Sequence, residues 1–354
     1  MRVRFLPDYS NGNPYQSRLA EALEETGVSV RMGSDGPLAI LESAWSGSDL
    51  VHFHWLHPFV DSRVLPVAVV KATLTLVQLI LAKLFGISIV WTAHNVVSHD
   101  AFHPRLEHVC KHAIVRWFCD GVVVHCEAAV GELTDELSLP ASTRDRVTVV
   151  PHGNYIGVYE NDVSATEARS ELGIDPERRV LLYFGRIRPY KGILDLLDAY
   201  ERTDLPGTEL VIAGAPKSPH EELADTVERR AEDLEKVRAH VKFIPDDEIQ
   251  VYMNAADTVV LPYLSVSTSG AAVLAMSFGR AVVAPRLGCL PELLDEQGSA
   301  VYDISDSEGL ERALQSVVKR DATKMGEYNR SRIEEFDWRA IAADISTAYE
   351  NHAR

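Results

Sequence analysis

At 354 residues the chain exceeds one ordinary domain, and its 46% hydrophobic content supports two packed cores without low-complexity tracts. Its formal charge is −17, from 52 acidic against 35 basic residues, which excludes the broad basic footprint of a nucleic-acid-binding protein. Only nine of those basic residues are lysine, an acidic, lysine-poor balance that points to work in high salt, as in a halophile.

The N-terminus, MRVRFLPDY, reads as a first strand; its apolar run is too short for a signal peptide, so a cytoplasmic setting is expected. Strand-like and helix-like segments then alternate, which predicts an α/β fold of parallel sheets covered by helices. Strands are predicted at 2–6, 28–31, 49–53, 87–92, 120–125 and 146–150, with helices at 14–26, 64–85, 105–119 and 127–137. A second series has strands near 178–184, 208–213, 240–244, 257–261, 280–284 and 298–301, and helices starting near 191, 219, 246, 270 and 306. The polar stretch 153–170 lacks a sustained apolar period and separates the two series. Two doubly wound, Rossmann-like domains are therefore expected, 1–160 and 161–337, facing across a cleft lined by C-terminal strand ends. A final helix over 338–354 is expected to cross back to the first domain.

The segment VLPVAVVKATLTLVQLILAKLF (64–85) is apolar almost throughout, but Lys71 and Lys83 interrupt it. No uncharged run reaches the ~18–20 residues that span a bilayer. Two readings stay open. One is a core helix; the other is a helix resting on the cytoplasmic face of a membrane, with both lysines toward lipid phosphates. Cys110, Cys119, Cys126 and Cys289 show no zinc spacing and read as reduced thiols.

Residues able to carry chemistry gather at strand ends. DYSNGNPY (8–15) links the first strand to the first helix, with Asn11, Gly12 and Asn13 suited to a tight turn and Pro14 to the first helical position. No GxGxxG occurs, which argues against a dinucleotide-dependent oxidoreductase. DLVHFHWLHPF (49–59) closes a strand with His52, His54 and His57, and VWTAHNVVSHD (90–100) closes another with His94, Asn95, His99 and Asp100. A zinc site, a polar substrate cleft and a buried hydrogen-bonded cluster are all open readings, although no HExxH or paired-cysteine motif completes a metal site. In a substrate cleft His94 can donate or accept near neutral pH, and Asp100 is a candidate general base.

In the second half, the apolar strand RVLLYF runs into a turn holding Gly185, Arg186, Arg188, Lys191 and Gly192, and then into the amphipathic ILDLLDAY. Glycine lets a backbone approach a ligand, and Arg and Lys neutralise phosphate oxygens at a helix N-terminus, so a pyrophosphate site is predicted. A second anion site is predicted where Ser267, Thr268, Ser269 and Gly270 precede the helical run AAVLAMSFG. An ordinary N-cap needs one such hydroxyl as well. Glu292, after Pro291, can accept hydrogen bonds from a ribose or simply complement a helix dipole.

Taken in order, DLVHFHW, TAHN, VTVVPHG, FGRIRPYKG, LVIAGAP, VYMNAADTVVLPY, SGAAVLAMSFGRAVVAP, GCLPEL and FDW resemble the nucleotide-sugar glycosyltransferases of GT-B architecture, most closely the family 4 type. The resemblance covers nearly the whole chain. It implies transfer of a hexose from a UDP- or GDP-linked sugar to a hydroxyl of a glycan or lipid-linked saccharide, as in polysaccharide or glycolipid biosynthesis. It implies that Arg186 and Lys191 hold the donor diphosphate and that His94 lies beside the reacting sugar. Backbone amides around Ser269, Gly270 and Ala271 would lie under the donor's phosphate and sugar, Glu292 near the donor, and Gly12 in the first loop. No cofactor and no metal ligand are implied: fixed cations and helix N-termini meet the growing diphosphate charge.

One departure stands out. The family's two glutamates, eight positions apart, are missing; Leu274 occupies the second position, and Val266 or the Ser267–Ser269 stretch the first. Ribose and sugar must be gripped otherwise, with Glu292 and the serine hydroxyls as candidates. Stereochemistry stays open: Asp100 would deprotonate the acceptor hydroxyl in an inverting reaction, whereas His94 would orient the donor in a retaining one. The same departure motivates an alternative, a non-catalytic sugar-nucleotide-binding partner of an active transferase.

Overall fold

The computed structural model describes residues 1–12, 14–96 and 101–352, so Asn13, His99 and Asp100 lie outside the described residues. The chain divides into two compact units, Met1–Gly153 with Phe336–Arg354, and Asn154–Glu335.

The first unit holds a six-stranded parallel sheet: β1 (Arg2–Leu6), β2 (Ser29–Met32), β3 (Leu50–Phe53), β4 (Ser88–Thr92), β5 (Gly121–Val124) and β6 (Val147–Val149). Its strand order is β2-β1-β3-β4-β5-β6. LVHF, SIVWT and GVVV are buried at every residue, as strands covered by helices on both faces must be. Helices Pro14–Glu25 and Trp338–His352 pack together, and Ile341, Ala342, Ile345 and Tyr349 join Phe5, Tyr15, Leu19 and Val90 in one core. The C-terminal helix therefore belongs to this unit. Because β1 lies between β2 and β3, the order of travel reverses there, and the carboxyl ends of β1 and β3 form the usual ligand crevice of an open α/β sheet.

The second unit repeats the plan with β7 (Arg179–Phe184), β8 (Thr208–Ala213), β9 (Val237–His240), β10 (Thr258–Val260), β11 (Ala281–Pro285) and β12 (Ser299–Tyr302). The order is β12-β11-β10-β7-β8-β9, so the reversal lies between β7 and β10. Leu181, Tyr183, Leu196, Leu197, Leu210 and Val283 anchor its core.

Several expectations shift. The strand expected at 240–244 is Val237–His240, because the ladder with β8 ends at Ala213 opposite His240, and Phe243 stands exposed. The expected helix 105–119 is Pro104–Ala113 followed by a π-helical turn, Ile114–Phe118. Helices Ala39–Trp45 and Ala322–Glu334 were not anticipated. Cys110 and Cys119 are buried free thiols, as expected.

Candidate active site

Four neighbouring strands of the first unit each deliver a histidine at the carboxyl end. His54 follows β3, His94 follows β4, His125 follows β5 and His152 follows β6, with His52 inside β3. Their protonation follows from one carbonyl. His125 Nδ1 lies 2.9 Å from the Val150 oxygen, which can only accept, so Nδ1 carries the proton and Nε2 the lone pair. That lone pair faces His94 Nδ1 at 3.1 Å, which must donate. His94 Nε2 then accepts from His54 Nδ1 at 3.3 Å. The chain ends at His54 Nε2, a buried lone pair with no hydrogen-bond partner among the described residues.

Burial keeps these rings neutral. It holds His54 and His94 well below the ordinary imidazole value, helped by neighbouring imidazoles. It pushes His125 down to about 4, and His52 and His152 to about 3. Trp55 stacks on His94 with centroids 4.9 Å apart, and Tyr15 meets its edge at 4.7 Å. His52 is held apart from the chain, with Nδ1 at 2.6 Å from the Tyr349 hydroxyl and Nε2 at 2.7 Å from Thr92 Oγ1. The rings pair nitrogen to nitrogen rather than converge on a point. Among the described residues no group of three or more His, Cys, Asp or Glu is placed to hold a metal.

In the second unit the turn after β7 and the loop after β10 meet at the topological reversal. Gly192 makes this possible: its φ is +66°, and a Cβ there would overlap the Pro262 carbonyl. Lys191 Nζ consequently sits 3.8 Å from the Tyr263 ring centroid and 5.2 Å from that of Tyr190. Burial, reinforced by nearby Arg188, pulls the ammonium down to about 8 against the opposing effect of Tyr190. Arg188 donates to the Tyr190 hydroxyl at 3.3 Å. Arg186 stands exposed, its carbonyl accepting from the Tyr183 hydroxyl at 2.8 Å, and no carboxylate pairs with Arg186 or Lys191 among the described residues. Close by, Ser269 caps helix Gly270–Ser277, its Oγ accepting from Ala272 N at 3.2 Å and lying 3.2 Å from the Tyr263 hydroxyl. The amides of Gly270 and Ala271 have no protein acceptor among the described residues.

The second unit, over residues 178–320, matches the family of glycosyl transferases group 1. A D-inositol 3-phosphate glycosyltransferase of Corynebacterium glutamicum is 28% identical over 292 residues, covering 77% of this chain and 68% of the relative. A GDP-mannose:glycolipid 4-beta-D-mannosyltransferase of Xanthomonas campestris is 28% identical over 293 residues, covering 82% and 74%. The Anabaena protein HepE, solved in complex with UDP, superposes with a TM-score of 0.77 at 17% identity over 99% of this chain and 100% of its own. The chain is a glycosyltransferase whose second unit carries the group 1 match. Its fold is that of the GT-B enzymes.

Within this glycosyltransferase the expected donor residues Arg186, Lys191, Ser269, Gly270 and Ala271 lie on the two loops that meet at the β7–β10 reversal. The Ser269 hydroxyl is spent on capping, which leaves the Gly270 and Ala271 amides as open donors there. Glu292 is exposed in the short helix Leu290–Leu293, and its carbonyl accepts from Arg332 at 2.8 Å. Gly12 closes a turn onto the Tyr9 carbonyl at 3.0 Å, and a Cβ there would meet open space. His57 begins a short helix and takes no part in the imidazole chain. Leu274, where the family carries a glutamate, is buried and apolar. Sequence reasoning missed His125 and His152, although VVVHC and VVPHG repeat the strand-then-histidine pattern of VHFH and WTAH. It also missed Tyr263, whose ring the lysine needs.

Proposed function

We propose that this glycosyltransferase moves a hexose from a UDP- or GDP-linked sugar to a hydroxyl of a glycan or lipid-linked saccharide, in the cytoplasm and without a divalent metal. The observation that carries this reading is a pair of cations, Arg186 and Lys191, without carboxylate partners among the described residues of a chain of net charge −17. An ammonium pulled down by burial gains most when a diphosphate arrives, and gains more as the leaving group's charge grows. The free amides of Gly270 and Ala271 add dipoles that need no reorganisation. Such fixed charge can do the work of a metal ion. The Corynebacterium and Xanthomonas relatives, both named as glycosyl-transferring enzymes, support the same class of reaction.

On this reading His94 orients rather than moves a proton, since both its ring nitrogens are already engaged. Asp100 is then the candidate base for an inverting transfer. A thermal-shift screen of UDP- and GDP-hexoses, followed by nucleoside diphosphate release in excess chelator, tests the proposal. A stabilising donor that is turned over in chelator supports it. Activity lost in chelator and restored by manganese would overturn metal independence, and a donor that binds but is never discharged would favour the non-catalytic alternative.

A further inference from the structure

The helix Leu65–Leu84 buries a small-residue face, Ala68, Ala72, Thr75, Gln78, Leu79 and Ala82, against its own unit. Its other face is apolar and open. Val67, Val70, Val77, Ile80 and Leu84 are between 46% and 77% exposed, and Phe85 continues the stripe at 65%. At ~1.5 Å per residue such a face runs about 30 Å. The helix has the length and mean hydropathy, 2.0, of a membrane span, yet one face is committed to the unit's interior, so it can lie on a bilayer but not cross one.

The charge around the stripe says what covers it. Residues 62–99 contain no Asp or Glu, although 52 of the chain's 354 residues are acidic. Three of the bordering carboxylates are engaged, whereas exposed Glu42 stands on the helix Ala39–Trp45 that packs against this one. Asp120 pairs with Lys83 at 2.6 Å, Glu107 with Lys111 at 2.6 Å, and Asp61 accepts from the amides of Ser62 and Phe102. Three arginines are not so engaged. Arg63 lies over the Phe102 ring at 5.8 Å, and exposed Arg105 and Arg116 have no carboxylate partner among the described residues. Arg116 and the 66%-exposed Trp117 sit on the π-helical turn that packs against this helix. The expected lysine contacts are corrected: Lys83 is held by Asp120, and Lys71 Nζ donates to the Pro58 carbonyl at 3.1 Å.

We infer that this face docks the protein onto an anionic phospholipid surface, with the apolar stripe in the acyl boundary and Arg63, Arg105 and Arg116 at the headgroups. Aromatic rings and arginines without carboxylate partners among the described residues, beside an apolar helix that carries no acid of its own, match the layered chemistry of a lipid interface. A second copy does not fit as well. A two-fold interface sets the same patch against itself, so each arginine rim would face the other's like charges. The inference is independent of the transfer reaction and has its own readout.

Sedimentation of the full chain with vesicles tests it. Strong binding to phosphatidylglycerol–phosphatidylcholine vesicles and weak binding to phosphatidylcholine alone is expected. Val70→Glu with Ile80→Glu, both at exposed positions, should cut the bound fraction at least about tenfold. Arg63→Glu or Arg116→Glu should each weaken the partition constant about fivefold on anionic vesicles only. Circular dichroism and donor thermal shift should be unchanged in every variant. Absence of vesicle binding by the wild type, or binding that survives the double variant, overturns the inference. A wild-type dimer by light scattering that the double variant dissociates, without vesicle binding, also overturns it and assigns the face to a second copy.

Discussion

In the first unit, five imidazoles share a buried site and every proton along the His54–His94–His125 chain is fixed by the Val150 carbonyl. In the second, Lys191 rests on two phenol rings and Arg186 is exposed, with no carboxylate matched to either among the described residues. One cluster is neutral and hydrogen-bonded within itself except at His54 Nε2; the other is charged and awaits a counter-charge. The difference shows how the two strand-end sites prepare for a ligand. The imidazoles spend their hydrogen bonds on each other and so fix the shape of a wall. The cations hold charge in reserve, because no carboxylate among the described residues neutralises it.

The largest expected break in this contrast is acid. His52 and His125 have folded values of about 3 and about 4, against an ordinary value near 6.5 in the unfolded chain. Below about pH 6.5 the unfolded chain binds more protons, so stability falls with falling pH until the folded groups titrate, and is flat above. At pH 5 each of these two rings costs about 2 kcal/mol relative to pH 7.5. Urea unfolding at the two pH values measures it, and His125→Asn should remove part of the difference. Equal stability at pH 5 and 7.5 would mean that the imidazoles are neither buried nor neutral as described. The second unit answers to a different change. Lys191→Ala should lower turnover by about 10²–10³ with the far-UV spectrum unchanged, the range seen when one preorganised charge-stabilising group is removed. Near-wild-type turnover would leave the cationic corner without a role.

Much of this contrast is legible in the sequence, because it is written in strand ends. FGRIRPYKG follows an apolar run and precedes an amphipathic helix, so a basic turn at a sheet edge could be read directly. The lysine's partner could not. Tyr263 is 72 positions away, and only the strand order, with β7 beside β10, brings its ring beneath Lys191. The histidines show the same limit. VHFH and TAHN stand out because they hold several polar residues, whereas His125 and His152 are single histidines in apolar surroundings and look like core. Ser269 reads as a ligand group in the run Ser267–Gly270, but its hydroxyl is taken up by the helix cap. The helix Ala39–Trp45 escaped because seven residues give too few turns for a helical period to emerge.

A smaller effect sharpens the claim that Lys191 holds charge in reserve. With an ammonium value of about 8, the group is protonated below that pH and loses its charge above it. Affinity for a nucleoside diphosphate should therefore fall about tenfold per pH unit above pH 8, until the bound complex itself titrates. Calorimetric titration of UDP or GDP across pH 7 to 10 follows this directly. The binding should be accompanied by proton uptake near pH 8, since the diphosphate restores the lysine's charge. A flat profile over that range would separate Lys191 from the phosphates.

The smallest effect decides between a cap and a ligand contact at Ser269. As a cap, its Oγ satisfies the Ala272 amide, so Ser269→Ala should cost about 1 kcal/mol of stability and Ser269→Gly only a few tenths. As a donor contact, both variants would weaken nucleotide-sugar binding in proportion to the lost hydroxyl, whatever their effect on folding. The geometry favours the cap: the hydroxyl already has the Ala272 amide and the Tyr263 phenol as partners, and the side chain is buried. A stability loss in the alanine variant that glycine largely repairs, with unchanged donor affinity in both, would assign ligand binding on this loop to the Gly270 and Ala271 amides.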